Sequence, residues 1–187
     1  MPRAAVFLDR DGVLNRAEVR EGKPYAPLRL RDFRLLPGTV AAVRTLREAG
    51  YLLVVVTNQP DIGHGRVAGN VVEAMHARLH HRLSPDAIEV CPHRQDEGCP
   101  CRKPRPGLLR SAAARLGIDL TQSFMVGDRG HDILAGRAAG CYTILVDRGY
   151  REPRPVEADV IVRSFPAAAR RIIAGSAALT GVTEGER

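Results

Sequence analysis

The sequence predicts an α/β fold: a doubly wound parallel sheet with helices on both faces, built as one domain. Three observations carry that reading. The chain has 187 residues, the size of one ordinary domain and enough to bury roughly 70 % of its unfolded surface without disulfide staples. Short apolar runs alternate with amphipathic segments, as strand–helix units do. The residues able to do chemistry follow the ends of the apolar runs, where open α/β sheets bind their ligands.

Each element has its own signal. Ala4–Leu8 reads as a buried strand. Pro37–Ala49 reads as a helix, with Val40, Val43 and Leu46 as its apolar stripe, Arg44, Arg47 and Glu48 on its charged face and Gly50 as its stop. Tyr51–Val56 is a second buried strand, Val67–Leu83 a long helix and Ala87–Val90 a third strand. Pro106–Leu116 is a helix closed by Gly117, and Ser123–Val126 a fourth strand. Asp132–Ala139 is a helix stopped by Gly140, and Thr143–Val146 a fifth strand. Val160–Val162 adds a last strand before a short helix near Ala167–Ile173. Arg16–Arg34 and Ile88–Arg102 read as loops. The domain spans residues 1–175, and 176–187 read as a flexible tail.

Composition narrows the class. With 44 % hydrophobic and 26 % charged residues, the chain is a folded protein and not a disordered one. No apolar run reaches the roughly 18 residues that span a bilayer. No signal-peptide pattern opens the chain. A cytoplasmic protein without membrane contact is expected, and there four cysteines point to metal or catalysis before disulfides. The net charge of +7 suits an anionic partner, nucleic acid or phosphorylated metabolite. The basic residues are spread along the chain, and aromatics make up only 4 % with no Trp, which argues against base stacking. Of the 28 basic residues only Lys23 and Lys103 are lysines. A lysine kept in so arginine-rich a chain marks a place where an ammonium is needed.

Three strand ends carry polar motifs. After the first strand stands Asp9-Arg10-Asp11-Gly12, where two carboxylates can face one site once Gly12 turns the backbone. An ordinary Asp-Gly turn would have the same letters. After the second strand, Thr57-Asn58-Gln59 can donate to a phosphate oxygen, or can be plain loop chemistry. After the fourth, Gly127-Asp128-Arg129-Gly130-His131-Asp132 leads into a helix, where Asp132 reads as an N-cap. Asp128 would join Asp9 and Asp11 on one sheet edge. Carboxylates gathered there repel one another unless a cation is present, and hard oxygen ligands suit Mg²⁺. Arg102-Lys103-Pro104 lies in a proline-stiffened loop before a helix.

Cys91-Pro92-His93 and Cys99-Pro100-Cys101 put three thiols and an imidazole within eleven residues. That is a tetrahedral Cys₃His set of the kind structural Zn²⁺ prefers, with no open coordination position. Free thiols or a disulfide would leave the clustering unexplained. The expected work of the ion is to pin the loop that delivers Arg102 and Lys103. Cys141 reads as a core thiol. His64 and His131 fall in loops near the site, with at most a minor binding role; the other histidines, His76 among them, read as surface or helix residues.

Taken together, Asp9-x-Asp11-Gly12, Thr57-Asn58-Gln59, Lys103 and Gly127-Asp128-x₃-Asp132 resemble the four ordered motifs of the haloacid dehalogenase superfamily of phosphohydrolases. The fuller strings, with the zinc loop Cys91-Pro92-His93 to Gly107, are similar to its heptose-bisphosphate phosphatase branch. The resemblance implies that Asp9 is the nucleophile, forming an aspartyl-phosphate, and that Asp11 is the general acid and then base, starting protonated. It implies Mg²⁺ held by Asp9, the Asp11 backbone carbonyl and Asp128. Thr57 and Lys103 would grip the transferring phosphoryl group. Arg10, Asn58, Gln59, Arg102 and Arg129 would meet the substrate, a small phosphorylated sugar. Pro60-Asp61 replaces the branch's usual Ser-Gly, and His64 its usual Arg. Ala17–Arg20, which would line the pocket, also matches poorly. Neither insertion point holds a large cap domain, so an open site is expected; separately, the chain is read as a monomer. Three rivals remain: histidinol-phosphate phosphatase, a DNA 3′-phosphatase, and a non-catalytic zinc module that binds nucleic acid.

Overall fold

The computed structural model describes residues 3–152 and 158–180, with side chains through residue 175. Its centre is a six-stranded, wholly parallel sheet in the order β5-β4-β1-β6-β7-β8. The strands are β1 (Ala5–Leu8), β4 (Leu52–Asn58), β5 (Ala87–Cys91), β6 (Phe124–Gly127), β7 (Tyr142–Val146) and β8 (Val160–Val162). The helices are α1 (Thr39–Glu48), the single turn α2 (Pro60–Gly63), α3 (Gly69–Leu83), α4 (Gly107–Leu116), α5 (Gly130–Ala139) and α6 (Phe165–Thr180).

The sheet is buried on both faces because Ala5–Leu8 of β1 and Leu52–Val56 of β4 are apolar at every position. Val6 and Leu8 of β1, with Leu53 and Val55 of β4, join one core with α1, α3 and α6. Ala5 and Phe7, with Leu52, Val54 and Val56, join the other with α4 and α5. The alternation is the period of two that a pleated strand imposes. After β5 the chain crosses to the far side of β1 to make β6, so the strand order reverses at β1. Such a switch point opens a crevice at the carboxyl ends of the strands. Asp9, Asn58 and Asp128 all stand at that edge.

Several elements differ from the sequence reading. Val40 is exposed (44 %), and the buried side of α1 is Thr39, Ala42, Val43 and Leu46. β4 runs on through Thr57 and Asn58, which pair with Val90 and Cys91 of β5. α5 starts at Gly130, with Arg129 as its N-cap and Asp132 at the third helical position, so Asp132 is not the cap. α6 continues to Thr180, five residues into the expected tail; 181–187 lie outside the described residues. The segment Arg16–Arg34 is more than a loop. It folds into an antiparallel hairpin of β2 (Glu18–Arg20) and β3 (Lys23–Tyr25), followed by a 3₁₀ turn at Leu30–Asp32. Its turn residues Glu21 and Gly22 both have positive φ, as the tightest hairpin turns require.

Candidate active site

Lys103 organises the site. Its ammonium has three protons and three acceptors: Asp9 Oδ1 at 2.6 Å, Asp132 Oδ1 at 2.6 Å and the Val56 carbonyl at 2.8 Å. These come from the ends of β1 and β4 and the first turn of α5, so one point charge ties together segments far apart in sequence. The side chain is 2 % exposed. Burial alone would depress its pKa; Asp132 and Asp9 outweigh that and hold it above the ordinary lysine value.

Asp9, Asp128 and Asp132 are all buried, each offering a carboxylate oxygen within 4.8 Å of the others. Three carboxylates against one ammonium leave two negative charges uncompensated. Burial, with Asp132 and Asp11 adding to it against the pull of Lys103, pushes Asp9 up to about 7. Burial, then Asp9 and Asp132, push Asp128 well above the usual carboxylate range. Asp132 spends both its oxygens, one on Lys103 and one on the Arg129 amide (3.1 Å). Asp128 spends one: Tyr150 donates to Oδ2 at 2.8 Å, while Oδ1 is buried with no partner. An orphaned, buried carboxylate oxygen beside an uncompensated double negative charge fits a divalent cation bound by hard oxygen ligands. Gly12, at φ 88°, makes the approach possible, since a Cβ there would overlap the Asp128 carboxylate.

Asp11 stands on the wall of the cavity as a pure acceptor. Arg10 donates to both its oxygens (2.8–3.2 Å), Asn15 to Oδ1 and Gln59 to Oδ2, each at 2.8 Å. In all of these contacts Asp11 is the acceptor. Arg10 and Gln59 differ from expectation. Both were read as substrate contacts, yet they are 0 % and 1 % exposed and lie off the cavity wall. Arg10 packs over Phe33 and donates to His76 Nε2 at 3.0 Å; Gln59 links Asp11 to the Thr57 hydroxyl at 2.9 Å. They position Asp11 from behind. His76, read as a surface or helix residue, is half-buried. Burial and then the Arg10 charge lower its pKa to about 4.

A cavity of about 280 Å³ opens above these groups, walled by Asp9, Asp11, Thr57, Asn58, Lys103 and Asp132. Ala17, Lys23, Tyr25, Arg66, Arg102, Arg129 and His131 also line it. Of the poorly matching Ala17–Arg20 only Ala17 reaches it, and His64 instead bonds Gln95. Arg129 pairs with Glu152 and Arg66 with Asp61. Arg102 has no carboxylate partner among the described residues; its one bond is a long one to the His93 carbonyl (3.4 Å).

Cys91, His93, Cys99 and Cys101 meet beside this wall. Their Sγ and Nδ1 atoms stand 3.3–3.6 Å apart in four of the pairs, close to the edges of a tetrahedron around an ion with bonds of about 2.3 Å. Asn58 links this loop to the site. Its side chain donates to the Lys103 carbonyl (3.0 Å) and accepts from the Lys103 amide (3.2 Å).

Sequence reasoning missed Asp132 and Tyr150. Asp132 was visible in its motif but was read as a cap. Tyr150 carries no motif, and only the path of the chain after β7 brings it to Asp128.

A HAD-hydrolase-like family model matches residues 100–169. That defines the class, and the nearer relatives narrow it. D-glycero-beta-D-manno-heptose-1,7-bisphosphate 7-phosphatase of Pseudomonas aeruginosa is 39 % identical over 154 residues, which is 80 % of this chain and 84 % of that protein. The D-glycero-D-manno-heptose-1,7-bisphosphate 7-phosphatase of Thermosynechococcus vestitus is 41 % identical over 80 % of this chain and 82 % of its own. The crystal structure of D,D-heptose 1,7-bisphosphate phosphatase from B. bronchiseptica, complexed with magnesium and phosphate, superposes with a TM-score of 0.80 at 30 % identity, over 92 % of this chain and 99 % of that one. The chain belongs to the haloacid dehalogenase superfamily, in the heptose-1,7-bisphosphate 7-phosphatase family, and is a phosphatase.

Proposed function

We propose that this phosphatase removes the 7-phosphate of D-glycero-D-manno-heptose 1,7-bisphosphate, with Mg²⁺ at the sheet edge and Zn²⁺ in the Cys₃His loop. The observation that carries the reading is the convergence at one point of the Lys103 ammonium, the Asp9 carboxylate and the unpartnered oxygen of Asp128.

Two like charges about 4 Å apart repel by roughly 4 kcal/mol at an effective dielectric near 20, so an anionic nucleophile cannot approach a phosphate unaided. Lys103 supplies one positive charge at the attacking carboxylate. Mg²⁺, held by Asp9 and Asp128, would neutralise the rest and polarise the phosphoryl oxygens. The Asp9 oxygen not bonded to Lys103 attacks phosphorus as the bond to the sugar oxygen breaks, giving an aspartyl-phosphate. Asp11 gives its proton to the leaving oxygen, then takes one from the water that cleaves the acyl phosphate. Asp11 takes that first proton from solvent and stands on the cavity wall, where it can deliver it. Thr57 holds a phosphoryl oxygen through its hydroxyl, while Lys103, whose three protons already serve Asp9, Asp132 and the Val56 carbonyl, acts on the phosphoryl group through its charge and must give up one of those acceptors to bond it directly. Arg102, the cavity guanidinium without a carboxylate, is left for the second phosphate of the substrate. The Cys₃His ligands fill four positions, so the zinc would be structural and would fix the loop that Asn58 clamps.

The test is phosphate release with Mg²⁺ from heptose 1,7-bisphosphate, histidinol phosphate and a DNA 3′-phosphate. The heptose bisphosphate should exceed both others by at least about ten-fold in kcat/KM. Equal or faster release from histidinol phosphate would overturn the substrate assignment.

A further inference from the structure

The segment after β7 crosses the sheet edge like a strap. Arg148 Nε donates to the Gly12 carbonyl (2.8 Å), the Arg151 amide to Gly22 (2.8 Å), and Glu152 pairs with Arg129. Between them Tyr150 aims its hydroxyl at Asp128 Oδ2. Neither Tyr150 nor Asp128 lines the substrate cavity, so the contact serves something behind it.

We propose that Tyr150 is a positioning residue that sets metal selectivity by occupying Asp128 Oδ2, so that Asp128 can offer a cation only Oδ1. The inference rests on the reading of this edge as a divalent-cation site. The chemistry of the two common hard cations makes the contact discriminating. Mg²⁺ is small and takes one oxygen per carboxylate in an octahedron; Ca²⁺ accepts six to eight ligands and often takes a carboxylate through both oxygens. A carboxylate with one oxygen already tied to a phenol hydroxyl suits the first and handicaps the second. The tether also fixes the carboxylate plane before the ion arrives, as outer partners of metal ligands commonly do. Asp132 already accepts from Lys103 and from the Arg129 amide, so it has less left to offer a larger ion.

The experiment is calorimetric titration of Mg²⁺ and of Ca²⁺ into the zinc-loaded protein without substrate, for the wild type and for Tyr150→Phe. The phenyl ring keeps the packing and removes the hydroxyl, freeing Oδ2. Mg²⁺ should bind roughly ten-fold more weakly, Ca²⁺ as tightly or more so, and the ratio of the Ca²⁺ to the Mg²⁺ dissociation constant should fall at least ten-fold. An unchanged ratio, including a uniform loss for both ions, overturns the proposal, because a merely structural role weakens both alike. Asp128→Asn separates the two levels of the argument. If it binds Mg²⁺ as the wild type does, the metal-site reading itself fails and the Tyr150 inference with it. If it loses Mg²⁺ while Tyr150→Phe keeps the wild-type ratio, only the Tyr150 inference fails.

Discussion

Asp9 sits where negative charge is crowded. It is buried beside two other carboxylates, and its pKa is pushed up to about 7. Asp9→Asn removes a buried negative charge and keeps the shape. Turnover should fall by at least about 10³-fold, since the nucleophile is gone. The melting temperature of the metal-free variant at pH 8 should match or exceed the wild type. Substantial residual phosphate release would reject Asp9 as nucleophile. His76 acts in the opposite sense. Its folded pKa of about 4 lies below the ordinary histidine value of 6.5. The neutral ring is the one the fold accepts, so its contribution is complete above about pH 6.5 and is lost as the pH falls toward 4. Discounted for its partial exposure, that is of order 2 kcal/mol. Denaturant melts from pH 7 to 4 should fall less steeply for His76→Gln than for the wild type. Parallel slopes would remove His76 from the account. The sequence shows only part of this scale. Asp9, Asp11, Lys103 and Asp128 follow from motif and spacing. That Arg10 turns inward to hold Asp11 does not, because the letters of Asp-Arg-Asp do not say which way a long side chain packs.

At the scale of elements, the Cys₃His loop and β4 work as a pair. Cys91 closes β5, and Lys103 follows Cys101 by two residues, with Asn58 of β4 clamped to its backbone. Cys91→Ser should lower zinc content below one ion per chain and cut the melting temperature by more than about 5 °C. The activity lost should exceed the folded fraction lost, because Lys103 loses its support. Full zinc occupancy by metal analysis would take Cys91 out of the ligand set. The strands were legible because their apolar runs are short and bounded by turn signals, and helices α1, α4 and α5 because a glycine stops each of them. Boundaries slipped by one or two residues where polar groups continue an element, as Thr57 and Asn58 do in β4. The β2–β3 hairpin was not legible: its strands are three residues long, Val19 is exposed, and Glu-Gly is not a common positive-φ turn pair.

For the molecule as a whole, the site is a crevice at the reversal of a parallel sheet, with the Arg102 guanidinium on its wall. Arg102 there should act mainly on binding. Arg102→Ala should raise KM for a sugar bisphosphate about ten-fold or more, with a smaller change for the matching monophosphate. The wild-type KM for the bisphosphate should also rise with ionic strength, as exposed charges are screened. Equal effects on both substrates would place Arg102 elsewhere in the reaction. The parallel architecture and the switch point followed from the alternation of elements. The strap over Gly12 and Asp128 did not, since it is made by a segment without periodicity whose position is set by contacts with residues far away in the chain.

The guanidinium of Arg10 has no exposure to water, and among the described residues its one anionic partner is Asp11. Any exchange that deletes the Asp11 carboxylate therefore strands a cation in the interior, and breaking a buried pair in this way costs about 3–5 kcal/mol. An inactive Asp11→Ala protein would then be silent for two entangled causes, a missing proton donor and a loosened interior. Pairing it with Arg10→Met, which withdraws the stranded charge, is the way to tell lost chemistry from lost architecture.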